Sequence, residues 1–301
     1  NSTNKLMFND ASQFIQGSSA TVLSLGATDE IDLTATAMDF NGTVTISGDT
    51  TLEDGADLIT ATAGTSNVRI GVNAGNSIAS GGNYNVAVGD EAGTAISTGD
   101  NNTFVGYASG DAVTTGTESV AFGSNALSAA VGSDKNTALG AYALRNDTEG
   151  ESSVAVGHQA LNAQNFATAT SAFNVAVGAN AGVSVTTGIE NTLIGALSGD
   201  ALTDADENVA VGYGALSADT KGGQSVAVGT FALLSQNFTT TTSSYNVAVG
   251  DRAGRVITTG VQNTLLGGLA GDALTDADTN VAVGMQALTA DTLGSKSVAV
   301  G

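Results

Sequence analysis

The stretch "NVAVGANAGVSVTTGIENTLIGALSGDALTDADENVAVG", residues 174–212, contains one five-residue word three times, as NVAVG, NTLIG and NVAVG, each copy 17 residues after the last. The word is too short to be a helix and alternates like a strand, so its second and fourth residues share one face and its third takes the other. Working outward, the closing glycine recurs at Gly71, Gly89, Gly106, Gly123, Gly140, Gly157, Gly178, Gly195, Gly212, Gly229, Gly250, Gly267, Gly284 and Gly301. Most spacings are 17, the first is 18, and two are 21. Three units of 17 and one of 21 form a block of 72, and residues 158–229 match residues 230–301 at 47 of 72 positions, as expected for a duplicated four-unit block. Self-similarity at a fixed short period is the signature of a solenoid.

The reading that follows is an all-β parallel β-solenoid with 17–21-residue coils over residues 67–301, fourteen repeats with the last one incomplete. No unit holds a ten-residue amphipathic pattern, which excludes helical solenoids, and the run G-G-x-G-x-D of calcium-binding nonapeptide repeats is absent. Coils stacked at strand spacing would extend about 65 Å. The second and fourth residues, as in Val86, Val88, Val154, Val156, Val175, Val177, Val226, Val228, Val247 and Val249, are expected to form the inner wall. The third position should then face water, yet it is apolar in every unit except that of Arg69. Strands apolar on both faces are buried on both. Ala87, Phe104, Leu193, Ala227 and Leu265 are therefore expected at an interface with further copies of the chain, giving a homo-oligomer.

Other columns recur with the same period. Alanine stands three residues after most of the glycines, with Ser109 and Ser198 as exceptions, and reads as an inward-facing return strand. Asn or Ser opens all fourteen words, either as a hydrogen-bond ladder between coils or as the residue that begins a strand after a turn. Segments such as "TTG", "TDADE" and "ADTKGGQ" read as turn chemistry on the outer edge. The two 21-residue units carry related inserts, "QNFATATSAF" at 164–173 and "QNFTTTTSSY" at 236–245. Residues 1–66 differ: the alternating pairs Ile31–Leu33, Met38–Phe40 and Val44–Ile46 predict a slender all-β shaft or a cap, with the shaft preferred.

Composition narrows the function classes. The chain has 40 Gly, no Pro, Cys or Trp, and a hydrophobic content made largely of Ala and Val, which suits a narrow core of small stacked residues. A formal charge of −21 repels phosphate backbones, so a nucleic-acid partner is not expected, and it disfavours adsorption to anionic membranes. No run of 18 apolar residues is present to insert into a membrane, and the first residues, "NSTNKLMFND", carry no signal-peptide core. The terminal SVAVG, residues 297–301, reads as the strand of a coil whose return half is missing, so the natural chain is expected to run on.

The words SVAVG and NVAVG resemble the head repeats of trimeric autotransporter adhesins, the YadA-like left-handed parallel β-roll, and equally the copies of that repeat in tailed-phage tail fibres. The resemblance covers about residues 67–301, with Val226, Val228 and Gly229 on the family's inner pair and terminal glycine. It implies a left-handed roll, three identical chains around one axis, and a head that binds host or matrix. The adhesin unit is shorter, so the extra residues here form larger outer loops and the family's binding surfaces do not carry over.

Little in the sequence converges on catalysis, and the chain is not expected to be an enzyme. His158 is the sole histidine and follows a unit glycine, without a second imidazole or a cysteine nearby to complete a site. The "GDALTDAD" runs place Asp200, Asp204 and Asp206, and again Asp272, Asp276 and Asp278, at spacings that could offer oxygens to Ca²⁺. Their spacing is not that of an EF-hand, and solvated turns are the simpler account; no other cofactor is called for. Arg252 and Arg255 in "DRAGR" read as neutralising Asp251 and neighbouring turns. Glycan cleavage by paired carboxylates is the enzymatic rival, but sugar sites use aromatic platforms, and Tyr107, Tyr142 and Tyr213 read as packing residues. The expected function is a structural and adhesive fibre segment of a virion, a phage tail fibre that extends and presents a host-receptor-binding element. The alternatives are the passenger head of a bacterial surface adhesin and a purely structural extracellular filament. A cell-surface receptor or glycan is the expected partner beyond the homotrimer itself.

Overall fold

The computed structural model describes residues 62–301, together with the backbone of three short strands, Lys5–Met7, Phe14–Ser19 and Val22–Gly26. The chain divides into two units, 1–57 and 58–301. In the first, Phe14–Ser19 pairs antiparallel with both neighbours, with a register shift between Gly17 and Ser19. The pairs expected at 31–33, 38–40 and 44–46, and the choice between shaft and cap, lie outside the described residues.

The second unit is a parallel β-solenoid. Fourteen three-residue strands, from Val68–Ile70 to Val298–Val300, form one sheet in which each strand pairs parallel with the next along the chain. Register is that of the repeat: Val209, Ala210 and Val211 face Val226, Ala227 and Val228. Two-residue strand pairs, Gly150–Glu151 with Thr170–Ser171 and Gly222–Gly223 with Thr242–Ser243, mark the two 21-residue coils. No helix occurs among the described residues.

The strands are turned over relative to the sequence expectation. The third residue is the inside one: Ala87, Phe104, Leu193, Ala227 and Leu265 are completely buried within the chain's own core rather than held at an interface. Val86, Val88, Val154, Val156, Val175, Val177, Val226, Val228, Val247 and Val249 flank them and point outward, half-buried or exposed, and are not the core. The physical reason is width. One coil closes in 17 residues, so the strand stands directly opposite the segment carrying Ala92, Ala126, Ala181 or Ala215, also completely buried. A gap between two such backbones admits one inward side chain per strand, and a valine pair would overfill it. The alanine segment does face inward, but it is a run of turns rather than a return strand.

Those turns visit the left-handed region twice around each buried alanine. In one coil Asn125 and Leu127 have φ of 55° on either side of Ala126, and in another Asn180 and Gly182 have 58° and 56° around Ala181. The second of these positions is always Leu or Gly, and the choice sets how the core is filled. Leu127, Leu144, Leu161, Leu216 and Leu233 fill it themselves, completely buried. A left-handed leucine costs about 1–2 kcal/mol, which burial worth about 1.5–3 kcal/mol offsets. Where glycine stands instead, the strand supplies the bulk. A Cβ on Gly182 would lie 2.6 Å from Leu193 Cδ1, and one on Gly199 would lie 2.8 Å from Leu193 Cδ2. Phe104 uses Gly93 and Gly110 in the same way, and Leu265 uses Gly254 and Gly271. Volume is conserved between adjacent coils, not within each one.

Two ladders lock the coils together. The glycine that closes each word has φ between 126° and 140°, and on Gly212 a Cβ would stand 2.5 Å from the carbonyl oxygen of Gly229. No side chain fits there, which is why the word ends on glycine. The Asn that opens most words is buried and forms the hydrogen-bond ladder. The Asn191 side chain accepts from the Asn208 backbone N–H at 3.0 Å and donates to the Ala205 carbonyl at 2.8 Å. Asn85, Asn102 and Asn263 make the same pair of bonds in their own coils. One amide thus closes its own coil and clamps the next, satisfying backbone groups that burial would otherwise leave unpaired.

Candidate functional site

The outward residues of the fourteen strands make one continuous face. Every position flanking the buried residue is Val, Thr, Ile, Leu or Phe, from Val68 and Ile70 to Val298 and Val300, so the face carries no charge on a chain of net charge −21. Phe122 is 57% exposed, and Val120, Leu139, Ile194, Val249 and Leu266 each expose more than a third of their surface. A contiguous uncharged and largely apolar strip of this kind is a candidate interaction surface. Tyr84, Phe173 and Tyr245 stand just ahead of the strands Val86–Val88, Val175–Val177 and Val247–Val249, all exposed and all in left-handed backbone.

Polar chemistry concentrates at the corners of the expanded coils. The Asp147 carboxylate is completely buried; it accepts from Gly150 N at 2.9 Å, from Phe166 N at 3.4 Å and from Gln164 Nε2 at 2.5 Å. Gln164 also donates to Ser153 Oγ and accepts from Asn174 Nδ2. One block later Asp219, Gln236, Ser225 and Asn246 repeat the arrangement. Loss of hydration pushes the Asp147 carboxyl above the usual carboxylate range, against the pull of the donors around it. Each network is closed on itself, so its chemistry is structural.

The calcium candidates are scattered among separate tasks. Asp206 accepts from the Ile189 backbone N–H and Asp278 from that of Val261, each at 2.8 Å and each pinning the coil before it. Asp204 pairs with Lys221 at 3.3 Å and accepts from the Thr203 hydroxyl, and Asp276 accepts from Thr275. Asp200 is partly buried, with one carboxylate oxygen unpaired and its pKa raised by desolvation; Asp272 is its counterpart one block on. Among the described residues no three His, Cys, Asp or Glu side chains gather as a metal would require. His158 lies exposed with its ring edge-on to Tyr142 at 6.0 Å, and the Arg145 guanidinium stands 5.2 Å from the centre of the same tyrosine ring. Tyr213 packs edge-on against Phe231. Arg252 reaches Asp251 at 4.0 Å.

A threonine ladder escaped the sequence reading, which assigned these residues to turns. Thr186 Oγ1 donates to the Thr203 carbonyl, Thr203 Oγ1 to that of Thr220, Thr258 to Thr275 and Thr275 to Thr292. The signal was present: Thr recurs eight residues after the closing glycine in most units. No protein-family model, no curated protein and no solved structure matches this chain.

Proposed function

We propose that this chain is a structural segment of an extracellular fibre, in which three copies pack as left-handed rolls through the uncharged outer face of the strands. The observation that carries the reading is that face. It repeats the same two uncharged columns at every level of a fourteen-stranded sheet, Val or Thr in the first and Val, Ile, Leu or Phe in the second, while the acidic residues lie elsewhere. A surface with one such pair per strand spacing is matched at all levels only by a partner with the same spacing, and another copy of the chain has it. The repeated word's likeness to adhesin heads and phage fibres supports the same assembly. Of these settings, a phage tail fibre that extends and presents a host-receptor-binding element is the reading we adopt.

Sedimentation equilibrium tests the assembly. The parent is expected to run as a trimer, and Val211→Asp as a folded single chain, because the charge enters the outer face alone. A parent that sediments as one copy overturns the proposal. Antibody raised against the exposed loop at 167–169 tests the setting by electron microscopy. Label on virion tails supports the fibre, and label on a bacterial surface supports the adhesin instead.

A further inference from the structure

A face built from near-identical levels does not fix its own height. If a neighbouring copy slips by one coil, Val or Thr still meets Val or Thr in the first outward column, an aliphatic residue still meets an aliphatic residue in the second except at residue 122, and one level of overlap is lost at the end. Register is weakly specified in such uniform strands. The two outward columns of this solenoid are uniform to a high degree: the first holds Val or Thr throughout, and the second holds Val, Ile or Leu at all levels but one. The exception is Phe122, the single aromatic in either column, with Val105 beside it on one side and Leu139 on the other. It is also the most exposed residue of its strand, at 57% against 37% for Val120.

Nothing in the chain's own fold requires that ring. Its strand neighbour Ala121 fills the core position, and the equivalent outward site is Val in most coils. A ring held out from a valine surface needs a matching recess or a matching ring. On another copy of this chain, the site of distinct shape at that height is the Phe122 level itself. We infer that Phe122 is the register key of the assembly: with copies at equal height the phenyl rings share one level and bury each other. Slipped by one coil, each ring meets the Val105 or Leu139 level of the partner subunit, overpacking that level and leaving a gap at its own. This inference rests on the reading that copies of the chain cover the outer face.

Photochemical cross-linking of the full chain tests it. An aliphatic diazirine residue in place of Val211, far along the sheet from residue 122 and adding no ring to the face, reports which level of the neighbour it touches when cross-linked dimers are digested and sequenced by mass spectrometry. The parent is expected to give inter-copy cross-links confined to one level. Phe122→Val should spread them to levels one or more coils away, at positions shifted by one repeat as Val209 is from Val226. Phe122→Leu, the more conservative change, should give a smaller spread. Cross-links of Phe122→Val that stay at the parental level overturn the key while leaving the assembly intact. A parent that sediments as one copy and yields no inter-copy cross-links overturns the assembly and the key together.

Discussion

Leu202 and Asp219 occupy the same corner of consecutive coils, seven residues after Gly195 and Gly212, and both are completely buried. Leucine belongs to the ordinary design, shared with Ile96, Val113, Val185, Ile257 and Leu274, in which the corner is sealed by an aliphatic side chain. Aspartate belongs to the coil beneath an insertion. There the chain opens by four residues relative to the 17-residue coil, and backbone N–H groups that would pair along a regular turn need another acceptor. Asp219 supplies it to Gly222 and Phe238, and Gln236 in the expanded coil supplies the counter-donor. The Ser225 that replaces asparagine in the ladder leaves room for that glutamine. The comparison shows that a buried corner can be apolar or fully hydrogen-bonded, and that loop length decides which.

The comparison breaks most readily at the aspartate. Asp219→Ala strands the Gly222 and Phe238 amides and the Gln236 side chain, and should destabilise the unit by about 3–6 kcal/mol, since each buried unpaired group costs about 1–3 kcal/mol. Asp219→Asn keeps the two backbone donors satisfied but sets amide against amide, and should cost clearly less. Chemical denaturation monitored by circular dichroism measures both, and equal losses would mean that Gln236 takes no part. Leu202→Ala removes aliphatic volume and should cost about 2–5 kcal/mol. Hydrogen exchange should confine the effect to neighbouring coils, because solenoid stability is a nearest-neighbour sum.

Acidity sharpens the contrast from another side. The Asp147 carboxyl is raised chiefly by desolvation, and Asp111 and Asp200 are raised for the same reason. A carboxyl whose folded pKa lies above its unfolded value binds protons more readily when folded. Its contribution is fully present below the unfolded pKa and lost as pH rises through the folded pKa. The melting temperature should therefore climb as pH falls from neutral toward about 4, helped by relief of the overall negative charge. In Asp147→Ala the same scan should be shallower. A scan of unchanged slope would show that the buried carboxylate is not the titrating group. Asp204, half-buried, is raised by desolvation but lowered on balance by hydrogen bonds from Thr203 and Lys221 and by the Lys221 charge, and opposes the trend weakly. The smallest effect belongs to the ladder that both kinds of coil share: Thr203→Val deletes the bond to the Thr220 carbonyl and should cost about 1 kcal/mol by denaturation.

Much of this was legible before any coordinates. The closing glycines and their spacing gave the coil count and the parallel register, because only glycine tolerates the φ near 130° and the backbone approach that stacking demands. The asparagine column offered the ladder as one of two readings, and the amide geometry selects it. The candidate site was legible only as a class of surface. Asp200, Asp204 and Asp206 look like a ligand set along the chain, but their turn points them at different backbone and side-chain partners. The Asp147–Gln164 and Asp219–Gln236 pairs stand one coil apart but interrupt a largely aliphatic column instead of forming one of their own, so no recurring signal marked them.

What the sequence determined by itself is the periodicity: a parallel solenoid whose repeated strand is apolar on both faces. What the tertiary structure alone decided is which face lies inside. Val-Ala-Val alternates perfectly and is hydrophobic either way, so hydropathy cannot orient it. The width of the closed coil can. A backbone that returns over Ala215 or Ala181 leaves space for one small residue, and that residue is the alanine of the word. The two flanking valines, too much volume together for the inside, are left facing out.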